Sequence, residues 1–251
     1  MDQPTIIESD VRRIWGAVRF VDAASARTIE GPLALSAPGA RWQRNHAHLH
    51  VLMQLDQPAE RQTEFDAYEA AFDVLPAVGP TVVSASVSDP AGRYLPRRFE
   101  VALPRDVDPA GPTAPRFNPL DVILDAAPAA PLLPTWAVLR VSVFRNGQPA
   151  ANAVLRLQPA GGGALLGRGL SDARGEALVI AAGIAQMSVG AGDIVVTREV
   201  PAELVVSFDP AAPADLPVNP DALAVRADVI RHTVALDLAS GRTDTLRIAL
   251  P

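Results

Sequence analysis

Leu139-Arg140-Val141-Ser142-Val143-Phe144-Arg145-Asn146-Gly147 alternates apolar and polar residues and then stops at Asn-Gly. Successive side chains of an extended chain point to opposite faces, so this alternation describes a β-strand with one apolar face. Gly147 tolerates positive φ and Pro149 sets φ for the restart, so the chain turns here and enters a second strand, Ala153 to Leu157. Ser171-Asp172-Ala173-Arg174-Gly175-Glu176 repeats the device: Asp172 can cap a turn that Gly175 closes, and the strand Glu176 to Ile180 follows.

Working outward, period-two segments bounded by Gly, Pro, Asn and Asp recur along the whole chain. Strands are predicted at Ile14 to Val21, Leu33 to Ser36, His46 to Leu55, Thr81 to Val87, Phe99 to Leu103 and Val122 to Leu124. After Gly175 they are predicted again at Ile194 to Thr197, Ala202 to Phe208, Thr233 to Asp237 and Thr243 to Ala249. Helical periodicity is confined to Glu60 to Phe72, with Phe65, Tyr68 and Phe72 on one face, and to Asp221 to Arg231 behind Pro217 and Pro220.

An imperfect internal repeat pairs Trp15-Gly16-Ala17-Val18-Arg19-Phe20-Val21-Asp22 and Ser88-Asp89-Pro90-Ala91-Gly92-Arg93 with Leu139 to Gly147 and Ser171 to Glu176. With 251 residues, this predicts a first sandwich domain over residues 1–126, a proline-rich linker over 127–135 and a second sandwich domain over 136–251.

Composition narrows the function. The chain is 49% hydrophobic and 20% charged, enough apolar material for real cores. Its net charge is −6, and its 22 basic residues are all arginine, scattered singly or in pairs; nucleic acid binding, which needs a basic face, is not expected. Cysteine is absent, which removes disulfides, thiol nucleophiles and thiolate metal sites. The acidic start Met1-Asp2-Gln3-Pro4 and the lack of a long apolar run predict neither export nor membrane insertion, and hence a cytoplasmic protein or one within a particle assembled in the cytoplasm.

The run Asn146 to Leu155, followed by Gly161-Gly162-Gly163 and Ser171 to Ala177, resembles the carboxypeptidase regulatory-like, or prealbumin-like, sandwich family. The resemblance implies an all-β protein of two tandem immunoglobulin-like or prealbumin-like sandwiches with one or two short helices. It also implies an accessory module and not a catalyst. In overall character, particularly at Arg93-Tyr94-Leu95-Pro96-Arg97-Arg98-Phe99, the chain is similar to accessory proteins of phage-tail-like contractile injection systems.

Two constellations are candidates for function. Arg93, Tyr94, Arg97 and Arg98 have the residue types that dominate interface hot spots, and predict a contact patch for protein partners. His46, His48 and His50 alternate along a predicted strand, which would project three imidazoles from one face and hold zinc or another transition metal. The same alternation equally describes a polar outer face that needs no cofactor. Arg44 to His50 is also similar to the histidine strand of intradiol ring-cleavage dioxygenases, but Tyr68 and Tyr94 follow the histidines where that family places its tyrosine ligands before them. The expected function is therefore a non-catalytic structural or protein-interaction module in a larger assembly, with metal binding or metal-dependent catalysis at the histidines as the alternative.

Overall fold

A computed structural model describes residues 14–56, 59–64, 81–103, 105, 118–184, 188–189, 195–196 and 199–251. The chain is all-β. Its strands in the first half are β1 (Gly16–Asp22), β2 (Ala34–Ser36), β3 (Ala40–Arg44), β4 (His50–Leu55), β5 (Thr81–Ser88), β6 (Arg97–Leu103) and β7 (Leu120–Leu124). The second half contains β8 (Ala137–Arg145), β9 (Gln148–Pro149), β10 (Val154–Pro159), β11 (Gly167–Leu170), β12 (Glu176–Ala181), β13 (Ser188–Val189), β14 (Val195–Val196), β15 (Val200–Phe208), β16 (Ile230–Leu238) and β17 (Thr243–Leu250). The helical content described is a 3₁₀ turn at Ala59–Arg61, with helical residues just after it, and one short α-helix, α1 (Pro220–Val225). The helix expected over Glu60 to Phe72 lies outside the described residues from Phe65 onward.

Two compact units divide the chain. The first comprises Met1–Arg19, Ala37–Ser84 and Glu100–Asp121, and the second Phe20–Ser36, Ala85–Phe99 and Val122–Pro251.

In the first unit, β3 and β4 form a hairpin and β4 pairs antiparallel with β1, with Gly16 opposite Leu52 and Val18 opposite His50. Val18 and Leu52 are completely buried, and Leu52 lies on the same face of β4 as the buried His50, so the face that the alternation marks as the polar, histidine-bearing one is turned inward. Arg19 clasps Asp121 through two hydrogen bonds, from Nε at 2.6 Å and from Nη2 at 2.5 Å, joining β1 to β7 on the wet face.

The second unit contains a sandwich. One sheet runs β11-β10-β15-β16 and the other β12-β8-β17, with β9 folded back on β8. The core between them takes Leu155 and Leu157 from β10, Leu204 and Val206 from β15, Leu139, Val141 and Val143 from β8, Val179 from β12, and Ile248 and Leu250 from β17. Each such side chain withdrawn from water contributes roughly 1.5–3 kcal/mol before conformational entropy is charged against it. β17 runs parallel to β8, Thr243 opposite Val138 through Leu250 opposite Arg145, while the other pairs of this sandwich are antiparallel. Also within this unit, Phe20 of β1 and Phe99 of β6 meet edge to face at 5.6 Å.

Three elements differ from expectation. The glycine-rich stretch at 161–169, where no strand is predicted, leads into β11, paired with β10 from Leu170 opposite Val154 to Gly167 opposite Leu157. Glycine is required because the next strand passes close by: a Cβ on Gly169 would stand 2.6 Å from the Leu178 carbonyl oxygen, and one on Gly167 2.5 Å from that of Ile180. The helix expected through Arg231 ends at Val225, because Arg226 is already extended and Ile230 begins a nine-residue ladder with β15. The third difference concerns the histidines.

Candidate functional site

The strand expected from His46 begins at His50, and residues 45–49 are the loop of the β3–β4 hairpin. Asn45 organises this loop, its side-chain oxygen accepting from the Leu49 amide at 2.9 Å and its carbonyl from the His48 amide at 3.1 Å. His48 takes a positive φ of 61°. The three imidazoles therefore do not stand at i, i+2 and i+4 of one pleated face. His46 and His48 are on the loop, His48 Nδ1 lies 2.7 Å from an Arg44 guanidinium nitrogen, and His50 is buried on the strand. Burial, with the Arg44 charge, lowers the His50 pKa to about 4. Among the described residues no group of three or more His, Cys, Asp or Glu is placed to hold a metal ion.

The four residues expected as a contact patch part company. Arg97 is 1% exposed. Its guanidinium donates to the Ile123 carbonyl at 2.7 Å, Asp221 Oδ2 at 2.6 Å and Asn219 Oδ1 at 3.3 Å, so it is an internal clamp between β6, β7 and the start of α1. Arg98, its side chain exposed, uses its amide on the Val218 carbonyl at 2.7 Å. Arg93 and Tyr94, by contrast, line an open cleft of about 430 Å³ in the second unit.

That cleft is built by two aspartate-capped turns. After β1, Asp22 Oδ1 accepts from the Ala24 amide, the Ser25 amide and the Ser25 hydroxyl, while Oδ2 accepts from the Tyr94 hydroxyl at 2.9 Å. The chain then returns beside β1, with the Ile29 amide on the Phe20 carbonyl. Between β5 and β6, the fully buried Asp89 carboxylate accepts from the Ala91 amide at 2.9 Å and the Arg93 amide at 3.0 Å. This is the turn chemistry that Asp supplies from a short side chain. The turn delivers Arg93 and Tyr94 to residues 125–127, where the Ala127 amide bonds the Arg93 carbonyl and the Leu95 amide bonds the Asp125 carbonyl.

The third wall is the proline-rich stretch after β7. Ala130, Leu132 and Trp136 are half-buried against Ala126, Val138, Leu178 and Ile180, which gives the cleft an apolar floor. Arg93 is held in place at the rim: its Nε lies 3.5 Å from Asp89, its guanidinium lies 5.8 Å from the centre of the Tyr94 ring, and its tip crosses Gly31 where any Cβ would collide with it. Burial, with the hydrogen bond to Asp22 and that carboxylate's charge, raises the Tyr94 pKa, so the phenol stays protonated and donating. The sequence indicated Arg93 and Tyr94 by residue type, but Arg27, Ile29, Leu132 and Trp136 carried no local signal, because their convergence depends on contacts between distant segments.

No protein-family model and no curated protein matches the sequence. Among solved structures, the chain is similar at 9% identity and a TM-score of 0.25 to GBS52, the minor pilin of the Gram-positive pathogen Streptococcus agalactiae, over 94% of this chain and 95% of that one. It is similar at 10% identity and a TM-score of 0.24 to the Bacillus anthracis TIE protein, over 97% of this chain and 42% of that one. A structure described as a putative adhesin from Bacteroides ovatus ATCC 8483 is 10% identical with a TM-score of 0.21, over 98% of this chain and 95% of that one. Likenesses this slight carry neither fold nor function.

Proposed function

We propose that the chain is a non-catalytic protein-interaction module that meets its partner at the cleft of Arg93, Tyr94 and Trp136. The observation that supports this is the convergence of an arginine, a tyrosine and a tryptophan on one open apolar cleft with two capped turns in its walls. These three residue types dominate binding energy at interfaces, and rigid walls reduce the ordering cost of docking. The aspartates that shape the cleft's turns serve the fold: Asp22 and Asp89 bind backbone amides.

A role as accessory component of a larger assembly, such as a phage-tail-like particle in the cytoplasm, belongs to the same proposal. It rests on the sequence resemblance, as does kinship with carboxypeptidase regulatory-like domains. The Asp172 turn is in keeping with that kinship, its Oδ1 accepting from the Arg174 and Glu176 amides at 2.9 and 3.0 Å. Among the described residues no helix is long and apolar enough to cross a membrane.

The test is affinity purification with the full chain and with Leu133→Glu as baits. Leu133 lines the cleft at 54% exposure, so the substitution leaves the core intact. Proteins retained by the parent and lost on the variant support the reading; an identical set on both baits refutes it.

A further inference from the structure

We propose that the cleft takes an acidic peptide segment of the partner, in which an apolar side chain sits beside a carboxylate; this deepens the interaction reading and rests on it. The floor made by Tyr94, Leu132, Trp136 and Ile180 asks for an apolar group, and about 430 Å³ accommodates one or two side chains. The rim decides the charge. It carries Asp22, Glu30, Arg27 and Arg93.

Of these, neither acidic residue is free. Asp22 accepts from two amides and two hydroxyls, and Glu30 has a partner of its own. Arg27 is exposed and makes no side-chain hydrogen bond or ion pair among the described residues, its carbonyl alone being used by the Asp22 amide. Arg93 meets Asp89 through Nε at 3.5 Å, too long for a good charge-assisted hydrogen bond, while Gly31 and the Tyr94 ring keep its guanidinium in place. The charged donors left to a ligand are therefore the guanidiniums, planar forks that match a carboxylate. Long-range steering works against this, since the whole chain carries −6, so the attraction is local to the cleft and screened by salt.

The experiment is calorimetric titration of the full chain with capped Glu-Leu-Asp-Leu and its uncharged isostere Gln-Leu-Asn-Leu. The acidic peptide is expected to bind about tenfold more tightly, with the difference shrinking as salt is raised. Arg27→Glu, at an exposed position, should erase the difference without changing the melting temperature, and Leu133→Glu should weaken both peptides. Equal binding of the two peptides, sensitive to Leu133→Glu, overturns the acidic preference and leaves the cleft as a contact surface. Binding of neither peptide overturns the proposal, and the affinity purification then decides separately whether the interaction reading falls with it. Concentration-dependent association of the free chain, abolished by Arg27→Glu, overturns it in favour of a second copy as occupant.

Discussion

Arg97, 1% exposed, donates through Nη2 to Asp221 Oδ2 at 2.6 Å across 124 residues of sequence. Asp221 Oδ1 accepts at 3.0 Å from Arg168, whose remaining donors grip Asp125 at 2.8 and 3.2 Å. Burial works to raise the Asp221 pKa, but the two guanidiniums outweigh it and hold the carboxyl below its ordinary range. The network ties β6, the end of β7, β11 and the first turn of α1 together.

Removing the partner of a buried charge strands that charge. Asp221→Ala should cost about 3–5 kcal/mol, because it leaves the buried Arg97 guanidinium without its carboxylate. Arg97→Ala should cost less, about 1–3 kcal/mol: it leaves the Ile123 carbonyl without its donor, but Asp221 is more than half exposed and keeps Arg168. Urea unfolding of both single variants and the double variant checks this. A double-variant loss equal to the sum of the singles would show that the two residues are not coupled.

Gly169→Ala should destabilise the second unit by about 1–3 kcal/mol, because the new Cβ meets a backbone carbonyl of β12, which cannot swing aside. Gly183→Ala is the comparison: nothing lies within 4 Å of its Cβ position, and a change within about 0.5 kcal/mol is expected. Thermal denaturation of the two variants side by side measures the contrast.

His50 is buried in its neutral form, with a folded pKa of about 4 against the usual 6.5. Between those values the unfolded chain binds more protons than the folded one, so stability falls as pH drops from 6.5 towards 4. The loss should reach on the order of 2 kcal/mol by pH 4. His50→Gln should flatten the dependence of the urea midpoint across that window; an unchanged slope would place its origin elsewhere.

With His46 and His48 on the hairpin loop and His50 turned inside, the three imidazoles do not share one open face. Untagged protein is expected to keep its melting temperature within about 1 °C after dialysis against a chelator, since bound metal would stabilise by mass action. A drop of several degrees, with stoichiometric zinc, copper or iron in the untreated sample and none in a triple alanine variant, would restore the metal reading.

Much of the fold was legible in the residues themselves. Leu139, Val141 and Val143 alternate and are fully buried, and Asn146 and Gly147 take the positive φ that their hairpin turn needs. Asp172 caps the turn that Gly175 closes, the Gly175 amide returning to the Asp172 carbonyl at 2.9 Å. These features are local: alternation decides which face of a strand is apolar, and a short carboxylate bonds amides two to four residues away. The absence of cysteine likewise excludes thiol chemistry on composition alone.

Tertiary structure alone decided the fates of the charged and aromatic side chains. Arg93 and Arg97 look alike in sequence, yet one stands at a cleft rim and the other is buried against Asp221. Trp136 and Tyr94 line one cleft although 42 positions separate them in sequence, and His48 leaves its expected strand because Asn45 closes a loop beneath it. Periodicity gives the direction in which a side chain points. Whether it meets water, an apolar wall or an opposite charge depends on segments that only the folded chain brings together, and that surrounding sets whether a guanidinium clamps the fold or remains available to a partner.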